Sequence, residues 1–178
     1  MAQESDSVLV KAALNGDGDS FTELCRRYYA AMVAIAHSII GDKHLAEDAA
    51  QQAFAKAAVK LPQLTKTERF AGWVAIICRN AARDILRTAK PVRCIEQSLV
   101  AAVESDENPA SEAVKAAMGN LSASAREVIY LRFYDGMSYE QISAVLGLSE
   151  QAINGQLRRA KKKLADYLRR EGFGEVKS

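Results

Sequence analysis

Arg79, Arg83 and Arg87 recur every four residues, with Asn80 and Asp84 among them. On a helix this spacing aligns three guanidinium groups in one ridge, as tracking a phosphate backbone requires. Asn80 adds a donor and an acceptor suited to a base edge. The same spacing also suits a solvated stripe partly paired with Asp84. Just ahead of the ridge, Leu64-Thr65-Lys66-Thr67-Glu68-Arg69 reads as a polar loop. Beside a basic helix, such a loop could hold a base drawn out of a duplex, at a cost of roughly a few kcal/mol for unstacking. A second cationic group, Arg158, Arg159, Lys161, Lys162 and Lys163, stands near the C-terminus and suits phosphate contact. Glu47, Asp48 and Gln51 have the opposite character. At helical spacing they put acid and amide on one face, which is either a solvated face or a docking surface for a basic partner helix.

Covalent chemistry finds little support. His37 and His44 are the only histidines, seven residues apart across Gly41-Asp42, and form neither an HExxH nor another metal spacing. The phosphate-cradling GxxxxGK[ST], the dinucleotide GxGxxG and the nucleophile GxSxG are all missing. Cys25, Cys78 and Cys94 include no CxxC and no nearby histidine set. Their odd number suits reduced thiols, and Cys25 and Cys78 read as core fillers within helical patterns. No metal, no cofactor and no catalytic activity are expected. No apolar run approaches the roughly 18 residues of a membrane span, and no signal-peptide core opens the chain, so a cytoplasmic protein is expected.

The elements that position these groups all read as helix. Gly136-Met137-Ser138 opens one, with Gln141 completing a capping box and Met137 stapled against Ile142. Gly147 stops it in the left-handed conformation that glycine accepts. Ser149 caps the next, with Leu148 and Ile153 as its staple. Two short helices across Gly147–Ser149 make a helix-turn-helix, whose second helix enters a major groove and here continues to about Arg170. Upstream, helices are expected over about 7–15, 20–40, 43–61 and 69–88, with Ser20/Glu23 as a capping box and Pro91 closing the bundle. Phe54 turns into that bundle. Ser124 and Glu127 are expected to cap a further helix through Tyr134.

The fold class is all-α, in two units joined by a tether. Residues 1–90 carry 12 basic and 10 acidic side chains, 91–120 carry 2 and 5, and 121–178 carry 10 and 7. Two mildly basic units, a four-helix bundle over 1–90 and a helix-turn-helix domain over 121–178, therefore flank a flexible acidic linker over 91–120. One short helix is expected in that linker near 111–118.

Taken together the chain resembles the extracytoplasmic-function sigma factors of bacterial RNA polymerase. In the first block the resemblance rests on Gly16-Asp17, Phe21, Leu24, Tyr28-Tyr29, Gly41-Asp42, Ala46-Glu47-Asp48, Gln51, Phe54, Phe70, Trp73, Ile77, Arg79-Asn80, Asp84 and Arg87. In the second it rests on Leu121, Arg126-Glu127-Val128, Leu131-Arg132, Gly136 to Ile142, Leu146 to Ser149, Leu157, Arg159-Ala160 and Lys163-Leu164. The resemblance implies roles by position. Glu47, Asp48 and Gln51 would dock a coiled coil of the largest polymerase subunit. Arg79, Asn80, Arg83 and Arg87, with the loop at Lys66, would engage the melted minus-10 promoter element. The helix from Glu150 to Lys163 would read the minus-35 element, with Gln151, Asn154 and Gln156 as polar contacts and Arg158, Arg159 and Lys162 on phosphates. The implied partners are core RNA polymerase, promoter DNA and an anti-sigma factor, with no membrane insertion.

Three departures from the family pattern stand out. Ala49 and Ala50 replace large apolar residues and Ala58 an aromatic, so a loosely packed bundle is expected. Ala152-Ile153-Asn154-Gly155 replaces a stretch that usually carries lysine and a hydroxyl. Gly155 within a helix costs about 1 kcal/mol relative to alanine and supplies no side chain for base readout. Two other readings stay open. One is a stand-alone helix-turn-helix regulator whose bundle dimerises or senses a ligand; the other is a helical decoy that binds protein alone.

Overall fold

The computed structural model describes residues 4–96 and 109–173, and all of its regular elements are helical. The bundle consists of α1 (Asp6–Leu14), α2 (Gly18–Ile40), α3 (Lys43–Lys60) and α4 (Phe70–Glu96). Short 3-10 turns at Leu61–Gln63 and Thr67–Arg69 link α3 to α4. Then come α5 (Pro109–Gly119), α6 (Ala123–Ile129), a π-helical turn at Tyr130–Tyr134, α7 (Tyr139–Leu146) and α8 (Glu150–Arg170). Among the described residues no helix is long and apolar enough to cross a membrane.

Each boundary has a local cause. Gly41 and Gly147 end α2 and α7 at φ 76° and 68°, where an L side chain would be strained. Ser138 and Gln141 form the expected capping box at both of its bonds, 3.1 and 2.8 Å. Ser149 caps α8 through the Ala152 amide. Two other expected boxes are replaced. Asp17 rather than Ser20 caps α2, accepting from the amides of Asp19 and Ser20, and Glu23 pairs with Arg26. A carboxylate outcompetes a hydroxyl for the positive helix start. Ser122 rather than Ser124 caps α6, and Glu127 turns elsewhere. Pro91 does not close the bundle either, since α4 continues through it to Glu96. The short helix expected near 111–118 is α5, which packs on α8 through buried Ala113 and Ala117.

Phe70 centres the bundle, fully buried, with its ring centroid 5.9 Å from Tyr28, 6.0 Å from Trp73 and 6.5 Å from Phe21. Leu24, Met32, Ile35 and Val74 fill the space around α2 and α4. α3 presents Ala46, Ala49, Ala50, Ala53 and Ala57, all fully buried, together with Phe54. Small residues suit close helix approach, so Ala49 and Ala50 line a seam rather than the loose packing expected; Ala58 faces solvent. Cys78 lies in this core and donates to the Met32 carbonyl, its thiol pushed up to about 12 by burial. Cys25, half-buried, is pushed up to about 11 for the same reason. Both are unreactive packing groups at neutral pH. α1 is pinned by Asp6, which accepts from the Arg27 guanidinium and the Tyr28 hydroxyl.

The apolar core does not stop at the bundle. Val128, Leu131, Ile142, Val145, Ile153 and Leu157 belong to the same buried cluster. α6 and the π-turn lie against α2, and α7 lies against α4.

Candidate nucleic-acid and protein-docking surfaces

Three surfaces carry the residues singled out above. On α3, Asp48 and Gln51 are exposed and Glu47 is half-buried. Alanines on the opposite face fix which way this acidic stripe points. Glu47 also borders a hollow of about 420 Å³ with Tyr29, Val33, His37, Tyr130 and Tyr134, formed jointly by α2, α3 and the π-turn.

On α4 the three arginines do not form a uniform ridge. Arg83 and Arg87 are exposed, Arg83 donating to the Asn80 side-chain oxygen at 3.3 Å and Arg87 to Asp84 at 3.2 Å. Exposed pairs of this kind contribute about 0–1 kcal/mol and exchange readily for other partners. Arg79 differs. Its Nε donates to Glu127 Oε1 at 2.8 Å, and the two side chains are only 19% and 11% exposed. Lys66, exposed, lies in the loop before α4, whose Thr67 is bonded to Ser7 of α1. This loop, Trp73 and Arg79 face the helix-turn-helix turn, Ser143 to Ser149, across an open crevice of about 930 Å³. Of the minus-10 candidates, Lys66 and Arg79 thus share one cleft with the helix-turn-helix turn, a juxtaposition that spacing along the chain does not reveal.

The third surface is α8. Ile153, Leu157 and Ala160 are buried against α6 and α7, which turns Gln151, Asn154, Arg158, Arg159 and Lys162 outward. The Ser143 hydroxyl donates to the Leu148 carbonyl at 2.6 Å and locks the turn that aims the helix. Gln156 faces the other way, into a crevice with Ser122, Ser124 and Arg159, where its Oε1 is buried without a hydrogen-bond partner. Gly155 leaves the helix unbroken, and its open side meets only the Arg159 guanidinium.

Sequence reasoning missed the residues that join the two units. Glu127 had been given to a capping box, although a buried carboxylate needs a cationic partner. The Arg126 Nε donates to the Ser38 carbonyl at 2.8 Å. His37 meets Tyr130 edge to face at 4.9 Å, and burial holds its imidazole below the usual range, with Asp42 acting in the opposite sense. Among the described residues no group of three or more His, Cys, Asp or Glu side chains is placed to hold a metal ion.

Comparison with known proteins matches both units. The model for Sigma-70 region 2 matches residues 24–92, and that for Sigma-70, region 4 matches residues 111–164. The RNA polymerase sigma factor CnrH of Cupriavidus metallidurans is 28% identical over 93% of this chain and 95% of its own length. The ECF RNA polymerase sigma factor SigW of Bacillus subtilis is 24% identical over 90% of this chain and 95% of its own. The chain is also 34% identical to the probable RNA polymerase sigma factor RfaY of Xanthomonas campestris, but spans only 36% of that protein's length. In three dimensions it is similar to CnrH solved in complex with the cytosolic domain of CnrY, with a TM-score of 0.63 at 28% identity over 93% of this chain and 98% of that one. It is also similar to the sigma factor RpoE in complex with the anti-sigma factor NepR from Bartonella quintana, with a TM-score of 0.55 at 25% identity over 84% and 96% of the two chains.

Proposed function

This chain belongs to the extracytoplasmic-function sigma factors of bacterial RNA polymerase, and we propose that it directs core polymerase to specific promoters through its three surfaces. The single observation that carries the proposal is the order of the two matched regions, region 2 over 24–92 and region 4 over 111–164. In this reading residues 1–90 bind polymerase and the minus-10 element, and the domain expected over 121–178 binds the minus-35 element together with α5, which packs on α8 and falls within the region 4 match, so that the linker is shorter than the 91–120 expected.

The roles are those the family resemblance implies, and the exposure of Asp48, Gln51, Asn80, Arg83 and Arg87 supports them. Glu47, Asp48 and Gln51 dock a basic coiled-coil helix of the largest polymerase subunit, where complementary charge favours encounter and register. Lys66, Arg79, Asn80, Arg83 and Arg87 hold the unstacked minus-10 strand, so that binding energy offsets the cost of melting. Gln151 and Asn154 meet base edges of the minus-35 element, with Arg158, Arg159 and Lys162 on its phosphates. Gln156, which faces α6, takes part only after its side chain turns outward. The chain performs no covalent chemistry itself, requires no cofactor and acts in the cytoplasm, where polymerase works. CnrH and RpoE are each solved with a binding partner, CnrY and NepR, which supports an anti-sigma factor as the regulator here.

The test is binding of the purified chain to core RNA polymerase beside an Asp48→Arg variant. Tight binding by the wild type, abolished by the charge reversal, supports the docking face. A folded wild-type chain that fails to bind would sink the reading.

A further inference from the structure

The loop assigned above to the unstacked minus-10 strand has little structure of its own. It runs between two buried anchors, Leu64 and Phe70, and neither 3-10 turn, Leu61–Gln63 or Thr67–Arg69, carries a side-chain cap. Between the anchors, Thr65, Lys66, Glu68 and Arg69 are exposed and only Thr67 turns inward. Among the described residues, the one side-chain hydrogen bond from this stretch joins Thr67 Oγ1 to Ser7 Oγ of α1, at 2.7 Å and 60 residues away along the chain. Backbone that is left unfixed loses conformational freedom when it takes hold of a ligand, and that loss weakens binding. A loop already held in its binding shape avoids it.

α1 is itself fixed from the other side. Its 9 residues are too few for a helix stable alone in water, so packing must place it. Leu9 and Val10 are buried in the bundle core. Asp6, next to Ser7, accepts from the Arg27 guanidinium and the Tyr28 hydroxyl, with Asp6 and Arg27 only 17% and 16% exposed. α1 also lies against both 3-10 turns and against α4. A line of contacts thus runs from α2 through Asp6 and Ser7 to Thr67, the neighbour of Lys66.

We propose that Ser7 is a positioning residue for promoter recognition: its bond to Thr67 holds the Lys66 loop in the shape that receives an unstacked base of the minus-10 strand. The proposal rests on the assignment of that loop to the minus-10 strand. Ser7 acts through Thr67 rather than on the DNA itself. Flexible surfaces re-pack around several ligands, whereas a fixed one discriminates among them. Loss of the bond therefore costs base preference as well as affinity, which a general weakening of the bundle would not do.

The experiment uses the full chain bound to core RNA polymerase, as wild type, Ser7→Ala, Thr67→Ala, the double variant and the conservative Thr67→Ser. The probe is a labelled single-stranded DNA pool of randomised sequence. Strands retained by each complex are sequenced for base preference, with those retained by core polymerase alone subtracted. Fluorescence anisotropy then reads affinity for the strand that wild type enriches most. Circular dichroism establishes that each chain is folded, and core affinity is measured on the same samples.

Ser7→Ala and Thr67→Ala are each expected to lower affinity for the enriched strand about fivefold, the worth of one hydrogen bond, and to flatten the preference at one position of the strand. Because both remove the same bond, the double variant loses no more than either single one. Thr67→Ser keeps the hydroxyl and stays within about twofold of wild type. Core affinity also stays within about twofold throughout, since the acidic face of α3 lies elsewhere. A folded Ser7→Ala chain with unchanged affinity and preference overturns the proposal. So does a loss that leaves the preference intact, or losses that add in the double variant, since either marks Ser7 as structural only. A wild-type complex that enriches no base at any position overturns it too. A wild-type chain that fails to bind core polymerase removes the sigma-factor reading itself, whereas any other failure with core binding intact removes only the role of Ser7.

Discussion

The helix that carries Arg79 and the helix that carries Gln151 and Asn154 are both amphipathic, both cationic and both proposed to meet DNA, yet they are held in different ways. α8 is positioned within its own unit, by the Ser149 cap at one end and by Ile153, Leu157 and Ala160 along its inner stripe. α4 is buried twice, against α2 and α3 on one side and α7 on the other. Its proposed contact residue is paired across the chain with Glu127. A surface built from local signals is ready as it folds. A surface completed by a distant segment is conditional on where that segment lies.

The contrast can be broken most severely at Phe70. Replacing this fully buried ring by alanine removes the hub of Phe21, Tyr28 and Trp73 and is expected to destabilise the bundle by about 3–5 kcal/mol. Calorimetry should show that loss, and core-polymerase binding should fall with it. An unchanged melting curve would mean the hub is not the centre of the bundle.

Ser149→Ala acts on the other side of the comparison. Losing the bond to the Ala152 amide should cost about 1 kcal/mol and weaken duplex binding before single-strand binding. Equal weakening of both would show that α8 is not an independent surface. Gly155→Ala should do the reverse, adding about 1 kcal/mol because the added methyl meets only a mobile guanidinium. Thermal melting reads its sign directly.

The smallest expected effect sharpens the conditional side. His37 at the inter-unit contact has a pKa below its ordinary 6.5, chiefly from burial, with Asp42 opposing. Lys43, Glu47 and Asp135 border the hollow it lines, and Tyr130 covers its ring. A group whose folded pKa is depressed supports the closed arrangement fully above 6.5, and that support is lost as pH falls through the lower folded value. Scattering should therefore show the chain opening on acidification below about 6.5, and His37→Phe should remove that dependence. A wild-type profile flat through this range would take His37 out of the contact.

Much of this fold was legible because its signals are local. The Ser138/Gln141 box, Gly41, Gly147 and Ser149 lie within a turn of the boundaries they set, and the apolar periods of α2 and α4 repeat often enough to be read. The errors came where a second candidate competed. Asp17 displaced Ser20, Ser122 displaced Ser124, and α4 ran on past Pro91. The ridge of three arginines was also only partly legible. Spacing aligns Arg79, Arg83 and Arg87 on one face but says nothing of what lies opposite each.

By itself the sequence determined the helices, the helix-turn-helix, the all-α class and the family, since each depends on neighbours within a few residues or on motifs in a fixed order. Only the tertiary structure decided that Arg79 is covered while Arg83 and Arg87 are open, that Glu127 serves a partner 48 residues away rather than its own helix start, and that Gln156 faces inward. The reason is physical. A buried charge takes whichever opposite charge packing brings within about 3 Å, and that choice leaves no periodic trace along the chain.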